Sequence, residues 1–209
     1  MSLWSTARTI ATALGVTDRD LEPIGCALGR TVFRETKRAT QIVNVRRPRR
    51  RLTPAAVAVL APWFPELDLS SVRIRTSCRL PPNRFHTEGR IYAMTFGSTI
   101  YWRDEFDDDD PKELVRLAHE LVHVDQVRRL GGESAFACAY GEGYIEGGGE
   151  LPAYLDDVGA YERNPLEAEA YSFEARFRDD RGRVVEARLR TTPADAGRAT
   201  AAPHPQGPR

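Results

Sequence analysis

With 209 residues and 23.4 kDa, the chain has room for one domain with a buried core. Hydrophobic residues make up 41% and charged residues 29%, which excludes a disordered or fibrous chain. Thirty basic residues balance thirty acidic ones, so no net field recommends a nucleic acid or a membrane surface as partner. The longest apolar stretches, such as Ala55 to Trp63, fall far short of the ~20 residues that cross a bilayer.

Met1 to Val16 contains Arg8 and no apolar core ending in a small-residue cleavage site, so no secretory signal is expected. The expected location is the cytoplasm, or the outside by a route that uses no signal peptide. Cys26, Cys78 and Cys138 are too far apart to form a thiolate knuckle and too few for a disulfide framework, and are expected to be reduced core thiols. Between Arg30 and Arg51 nine Lys or Arg face one acid, Glu35, without interleaved aromatics. That composition predicts an exposed, solvated linker rather than a nucleic-acid patch.

From Leu52 the pattern changes. Thr53 can cap a helix that opens on Pro54, runs to Leu60 and is stopped by Pro62 and Pro65. Three β-rich runs follow, Val72 to Thr76, Ile91 to Thr95 and Ser98 to Trp102, the last two joined by a reversal at Phe96-Gly97. A long helix is then predicted from its punctuation: Asp110 as cap, Pro111 in the first position, Glu113 as the returning member of a capping box, and Gly131-Gly132 as stop. Beyond a Gly- and Tyr-rich stretch, Glu133 to Tyr161, a second start appears at Asn164-Pro165-Leu166-Glu167, with the helix expected to reach about Arg178. The tail beyond Thr192 has almost nothing to bury and is expected to be disordered.

The chemistry lies in His119-Glu120-Leu121-Val122-His123, inside the long helix. Residues four apart share a helix face, so both imidazoles can reach one cation while Glu120 projects beside them. The two histidines border the apolar stripe of Leu114, Leu117, Ala118 and Leu121. Histidines in such a place can also serve only as hydrogen-bonding core residues. A zinc site needs a third protein ligand, with a fourth position left open for catalysis. A histidine six residues past His123 is excluded, because that position is Arg129. The downstream carboxylates Glu142, Glu146, Glu150, Asp156, Asp157, Glu162, Glu167 and Glu169 remain candidates, of which Glu167 and Glu169 sit on a predicted helix. Glu167, in the third helical position, can alternatively fold back to cap the Asn164 backbone.

The stretch from about Leu52 to Arg176 resembles the zincin-like metallopeptidase domain associated with bacterial extracellular contractile injection systems, called their core domain. The resemblance is carried by Phe64-Pro65-Glu66-Leu67-Asp68-Leu69-Ser70-Ser71-Val72-Arg73-Ile74, by Ala93-Met94-Thr95-Phe96-Gly97-Ser98-Thr99-Ile100-Tyr101, by Leu117 to Gln126 around the paired histidines, and by Asn164-Pro165-Leu166-Glu167-Ala168-Glu169-Ala170-Tyr171. It implies an α+β, zincin-like fold: a small mixed or antiparallel sheet, an active-site helix with the two histidines, and a second ligand-bearing helix. It also implies Glu167 as the third zinc ligand, with Glu169 as second choice. Arg75 stands where the family often has His, and Tyr171 where some zincins carry an Asp behind the ligands.

The implied organisation is an N-terminal helical and basic arm over residues 1–51, a zincin-like domain over 52–178, and a C-terminal extension over 179–209. One Zn2+ would be held by His119, His123 and Glu167, with Glu120 as the general base that takes a proton from the attacking water. Ser98, Thr99, Ile100 and Tyr101 are expected to form the strand along which a peptide or protein substrate pairs by its main chain. An oxyanion donor is sought among Tyr144, Tyr154, Tyr161 and Tyr171. Injection-system components are the other implied partners, either as recipients of a peptidase or of a catalytically silent scaffold that has kept the fold. Asp125 falls among apolar neighbours and calls for a basic partner, His86 or an arginine, or for solvent. His204 lies in the tail and receives no role.

Overall fold

The computed structural model describes residues 18–80, 91–147 and 158–191. Within them the elements are helix α1 (Asp18–Val43), strand β1 (Arg49–Arg50), helix α2 (Pro54–Leu60), 3-10 turns at Ala61–Trp63 and Leu69–Ser71, strands β2 (Arg73–Arg75), β3 (Ala93–Phe96) and β4 (Thr99–Trp102), and helices α3 (Pro111–Arg129), α4 (Glu133–Glu146), α5 (Val158–Arg163) and α6 (Pro165–Thr191). This is a mixed α+β architecture: six helices around a small four-stranded mixed sheet. No helix among the described residues is long and apolar enough to cross a membrane.

The punctuation in the sequence acts as expected. Thr53 Oγ1 accepts the Ala56 N–H at the start of α2, and Asp110 accepts the Lys112 N–H at the start of α3. The α3 helix ends where Gly131 and Gly132 take φ of 88° and 125°, with the Gly132 N–H donating back to Val127 O. Glu113 does not close a capping box; its carboxylate goes forward to Arg116 at 3.1 Å. Gly97, at φ 59°, makes the reversal between β3 and β4.

Strand order is β1-β2-β4-β3, with β2 and β4 parallel and the outer pairs antiparallel. The expectation that Ser98 to Tyr101 offers a free edge is therefore corrected. Thr99, Ile100 and Tyr101 pair with β2 on one side and β3 on the other, and β3 is the edge strand beside α3. The core lies between this sheet, α3 and α6. Leu60, Ile74, Ile100, Leu117, Leu121, Ala170 and Phe177 are completely buried there, each large aliphatic side chain contributing roughly 1.5–3 kcal/mol.

Three further expectations are corrected. The basic stretch from Arg30 to Arg51 is not a solvated linker. Its first half is the end of α1, Arg49 and Arg50 form β1 against β2, and Arg50 pairs with the buried Asp108 at 3.2 Å. Cys26 and Cys138 are not reduced thiols but a disulfide joining α1 to α4; Cys78 is free and buried. The last helix does not stop near Arg178 but continues to Thr191, since no proline intervenes and Gly182 alone, at about 1 kcal/mol, does not outweigh the good helix formers around it.

Helix α4 lies in the stretch for which the sequence predicted no element. Gly141 weakens helical propensity, yet a side chain there would put a Cβ 2.4 Å from Gly25 O, and one at Gly29 would lie 2.2 Å from Ala137 O. The glycines let α1 and α4 pack backbone to backbone, and that packing overrides propensity. Met1 to Val16, His86, Glu150, Tyr154, Asp156, Asp157 and the tail with His204 lie outside the described residues.

Candidate functional site

α3 places His119 and His123 one turn apart on the face turned toward α6, where the first turn of α6 brings up Glu167. All three are buried, at 7%, 6% and 3% exposure. His119 Nε2 and His123 Nε2 are 3.2 Å apart, and the two oxygens of Glu167 lie 3.4 Å from His119 Nε2 and 3.5 Å from His123 Nε2. Asn164 seats α6: its side chain accepts the Leu166 N–H and donates to Tyr140 O on α4. Glu167 does not fold back as a cap.

A second ring of side chains holds these three. Tyr140 donates its hydroxyl proton to Glu167 Oε1 at 2.7 Å. His123 Nδ1 meets Gln126 Oε1 at 2.8 Å. His119 Nδ1 faces Glu174 Oε2 at 3.3 Å, a charge contact without hydrogen-bond alignment. Glu120, beside the histidines, accepts the Thr95 hydroxyl at 2.6 Å, so the general-base candidate is tied to the edge strand β3.

The electrostatics follow from packing one carboxylate against two imidazoles. Burial opposes charge on His119, but Glu167 and Glu174 outweigh it and raise its pKa to about 10. Burial likewise opposes charge on His123, and Glu167 again turns the balance upward. Burial would raise Glu167, yet His123 and His119 hold it far below the usual carboxylate range. Burial and the Glu167 charge push Tyr161 well above its ordinary value. Tyr171 is pushed up to about 12 by burial, with Glu167, Glu174 and Glu120 adding to it and a hydrogen bond from Tyr161 opposing. Both tyrosines are therefore protonated donors at neutral pH.

The arrangement fits a tetrahedral cation. Bonds of ~2.0–2.1 Å to zinc separate neighbouring ligand atoms by ~3.3–3.4 Å; here the two Nε2 atoms stand 3.2 Å apart, and Glu167 approaches that of His119 with Oε2 at 3.4 Å and that of His123 with Oε1 at 3.5 Å. Glu167 Oε2 is buried with no hydrogen bond. Three acceptors thus share one buried point that a proton or a metal ion must neutralise.

Of the other carboxylates, Glu169 lies outside the cluster, pairing with Arg129 and accepting from Gln126. Glu142 stands beside the disulfide, and Glu146 and Glu162 are exposed. Asp125 finds its basic partners in Arg128 and Arg129. Arg75 donates to the carbonyls of Asn44, Val45 and Arg47, bracing the turn between α1 and β1. Tyr161 and Tyr171 line the cleft at the cluster, whereas Tyr144 is buried in the interior. The cleft, about 330 Å³, is lined by His119, Glu120 and Glu167, by β3, and by the apolar rings of Phe33, Phe96 and Phe136.

Sequence reasoning missed Tyr140, Thr95, Gln126 and Glu174. Two left a trace: Gln126 follows His123 by three residues and Glu174 follows Glu167 by seven, both helical repeats that return a side chain to the same face. Nothing local marks Tyr140 or Thr95.

A small α+β domain with a buried His-His-Glu cluster at the head of a cleft defines the class of protein. Residues 51–131 are similar to the family described as the eCIS core domain, in agreement with the resemblance read from the sequence. The matched segment contains both histidines and Glu120, but not Glu167, Tyr140 or α1. Neither the curated proteins nor the solved structures yield a match.

Proposed function

We propose that this chain is a zinc-dependent metallopeptidase of the zincin type, acting in association with a contractile injection system. The observation that carries the reading is the convergence of His119, His123 and Glu167 on one buried point with Glu120 beside them. His119, His123 and Glu167 would hold the ion. Zinc, when bound, supplies a Lewis acid that activates water and polarises a peptide carbonyl.

This chain's own residues do the rest. Glu120 Oε2 takes the proton from the attacking water and passes it toward the leaving amine, with Thr95 fixing the carboxylate from β3. Tyr161 and Tyr171, kept protonated by their surroundings, donate to the developing oxyanion. The edge strand β3, not β4, offers main-chain groups to an extended peptide or protein substrate.

Metal analysis paired with digestion of an unfolded protein, wild type against Glu120→Gln, tests the reading. Wild type is expected to hold one zinc and to cleave. The variant keeps the metal and its melting temperature but loses ~10²–10⁴-fold in rate. Fully zinc-loaded wild type that cleaves nothing refutes the peptidase. That result favours the second reading, a silent zincin-like scaffold that docks on the injection apparatus, which the family match by itself supports equally.

A further inference from the structure

Gln126 is 1% exposed, so no water can take over its hydrogen bonds. Its Nε2 donates to Leu166 O at 2.9 Å and to Glu169 Oε2 at 3.0 Å, both pure acceptors. Turning the amide over would set its oxygen against two other oxygens, so the neighbours fix its orientation. Its Oε1 must then face His123 Nδ1, 2.8 Å away, and this contact is a hydrogen bond only if Nδ1 carries the proton. The amide is held in turn from outside: Asp125 fixes Arg129, Arg129 pairs with Glu169, and Glu169 receives the Gln126 amide. Leu166 immediately precedes Glu167, so the same side chain also fastens the start of α6.

We propose that Gln126 is a positioning residue with two coupled effects: it locks His123 with the proton on Nδ1, so that Nε2 is the ring atom turned to the point shared with His119 and Glu167, and it pins the helical turn that delivers Glu167. It thereby joins a ligand inside the family-matched segment to one beyond it. The inference rests on the metal reading above for its consequence, but not for the ring orientation itself.

The test uses the full chain with ring-¹⁵N histidine and three forms: wild type, Gln126→Met, and Gln126→Glu combined with Glu169→Gln, which keeps an acceptor for His123 Nδ1–H and reverses the bond to position 169 but gives up the donor to Leu166 O. Wild type is expected to show a protected, downfield His123 Nδ1–H signal with or without zinc. Gln126→Met should lose that signal and bind zinc ~10–100-fold more weakly in chelator competition. The double variant should regain the signal, which a role in packing alone would not produce, while its zinc affinity stays below wild type because Leu166 O has lost its donor. A protected Nδ1–H signal persisting in Gln126→Met, or zinc affinity unchanged in it, overturns the inference and leaves the metal reading standing. Should Gln126→Met fail to fold, failure of the double variant to restore the signal overturns it equally. If wild type binds no zinc, the metal reading falls, and the ring-proton signal alone decides whether Gln126 sets His123.

Discussion

Gly29 offers a test of how α1 is joined to the body that carries the site. On helix propensity alone, Gly29→Ala should stabilise the protein by about 1 kcal/mol. The structure predicts the opposite sign. An added Cβ would lie 2.2 Å from Ala137 O and 2.9 Å from Gly141 Cα, whereas real Cβ contacts essentially never fall below 3.0 Å. Both obstacles are backbone atoms of a helix and cannot rotate aside. The helices must part by most of an ångström, but Cys26, one turn earlier, is bonded to Cys138 and prevents this. Overpacking of this kind costs ~1–3 kcal/mol, equivalent to a fall of roughly 2–12 °C in melting temperature for a chain of this size. The strain also reaches the cleft, because Phe33, the next turn of α1, packs edge-on against Phe136 at 5.9 Å. Urea unfolding of oxidised wild type and variant measures the effect. An unchanged or raised midpoint refutes the backbone-to-backbone crossing.

Three other outcomes are expected. Glu167→Gln should weaken zinc binding by more than the ~10–100-fold that loss of an outer partner costs, because it removes a ligand; calorimetric titration with zinc measures it. Asp108, although burial alone would raise its pKa, is held below the ordinary carboxylate value by hydrogen bonds from Thr53 and by Arg50. Its stabilisation is therefore complete above the unfolded carboxylate value of ~4 and is lost as pH falls through that value toward the lower folded one. Asp108→Asn should cost ~1.5–3 kcal/mol near neutrality and flatten the acid limb of a stability-against-pH curve. Reducing the disulfide, which closes a separation of 112 residues, should remove up to ~5 kcal/mol of chain-entropy stabilisation, read as the shift in unfolding midpoint with and without a dithiol.

The parts of the molecule legible in the sequence are those whose cause is local. Thr53, Asp110 and Asn164 announce helices within a few residues, and the four-residue spacing of His119 and His123 puts them on one face whatever surrounds them. The strands β2, β3 and β4 were legible as segments, but their order was not. Nothing in Thr99 to Trp102 says that β2 will flank it in parallel, so the placing of β4 inside the sheet and of β3 at its edge is not readable from the segments alone. The disulfide was illegible for the same reason, since its partners meet only when α1 crosses α4. That crossing depends on glycines that, taken locally, argue against a helix. Glu167 was legible through resemblance, and its position as an acid at a helix start suggested a cap as readily as a ligand. Tyr140 and Thr95 act across the fold and had no local signal.

The segment that matches the core domain stops at 131, just after α3, while the apolar side of α3 is covered by Ala170, Phe173 and Phe177 from α6. A fragment cut to the matched boundaries would therefore be a misleading reagent. It would keep both histidines yet expose Leu117 and Leu121, which the intact chain buries completely, and it would self-associate through them. Any metal it took up would be held by two imidazoles in a floppy, solvent-filled notch. Constructive dissection of this protein has to cut beyond α6, because the recognisable module and the unit that folds are not the same length of chain.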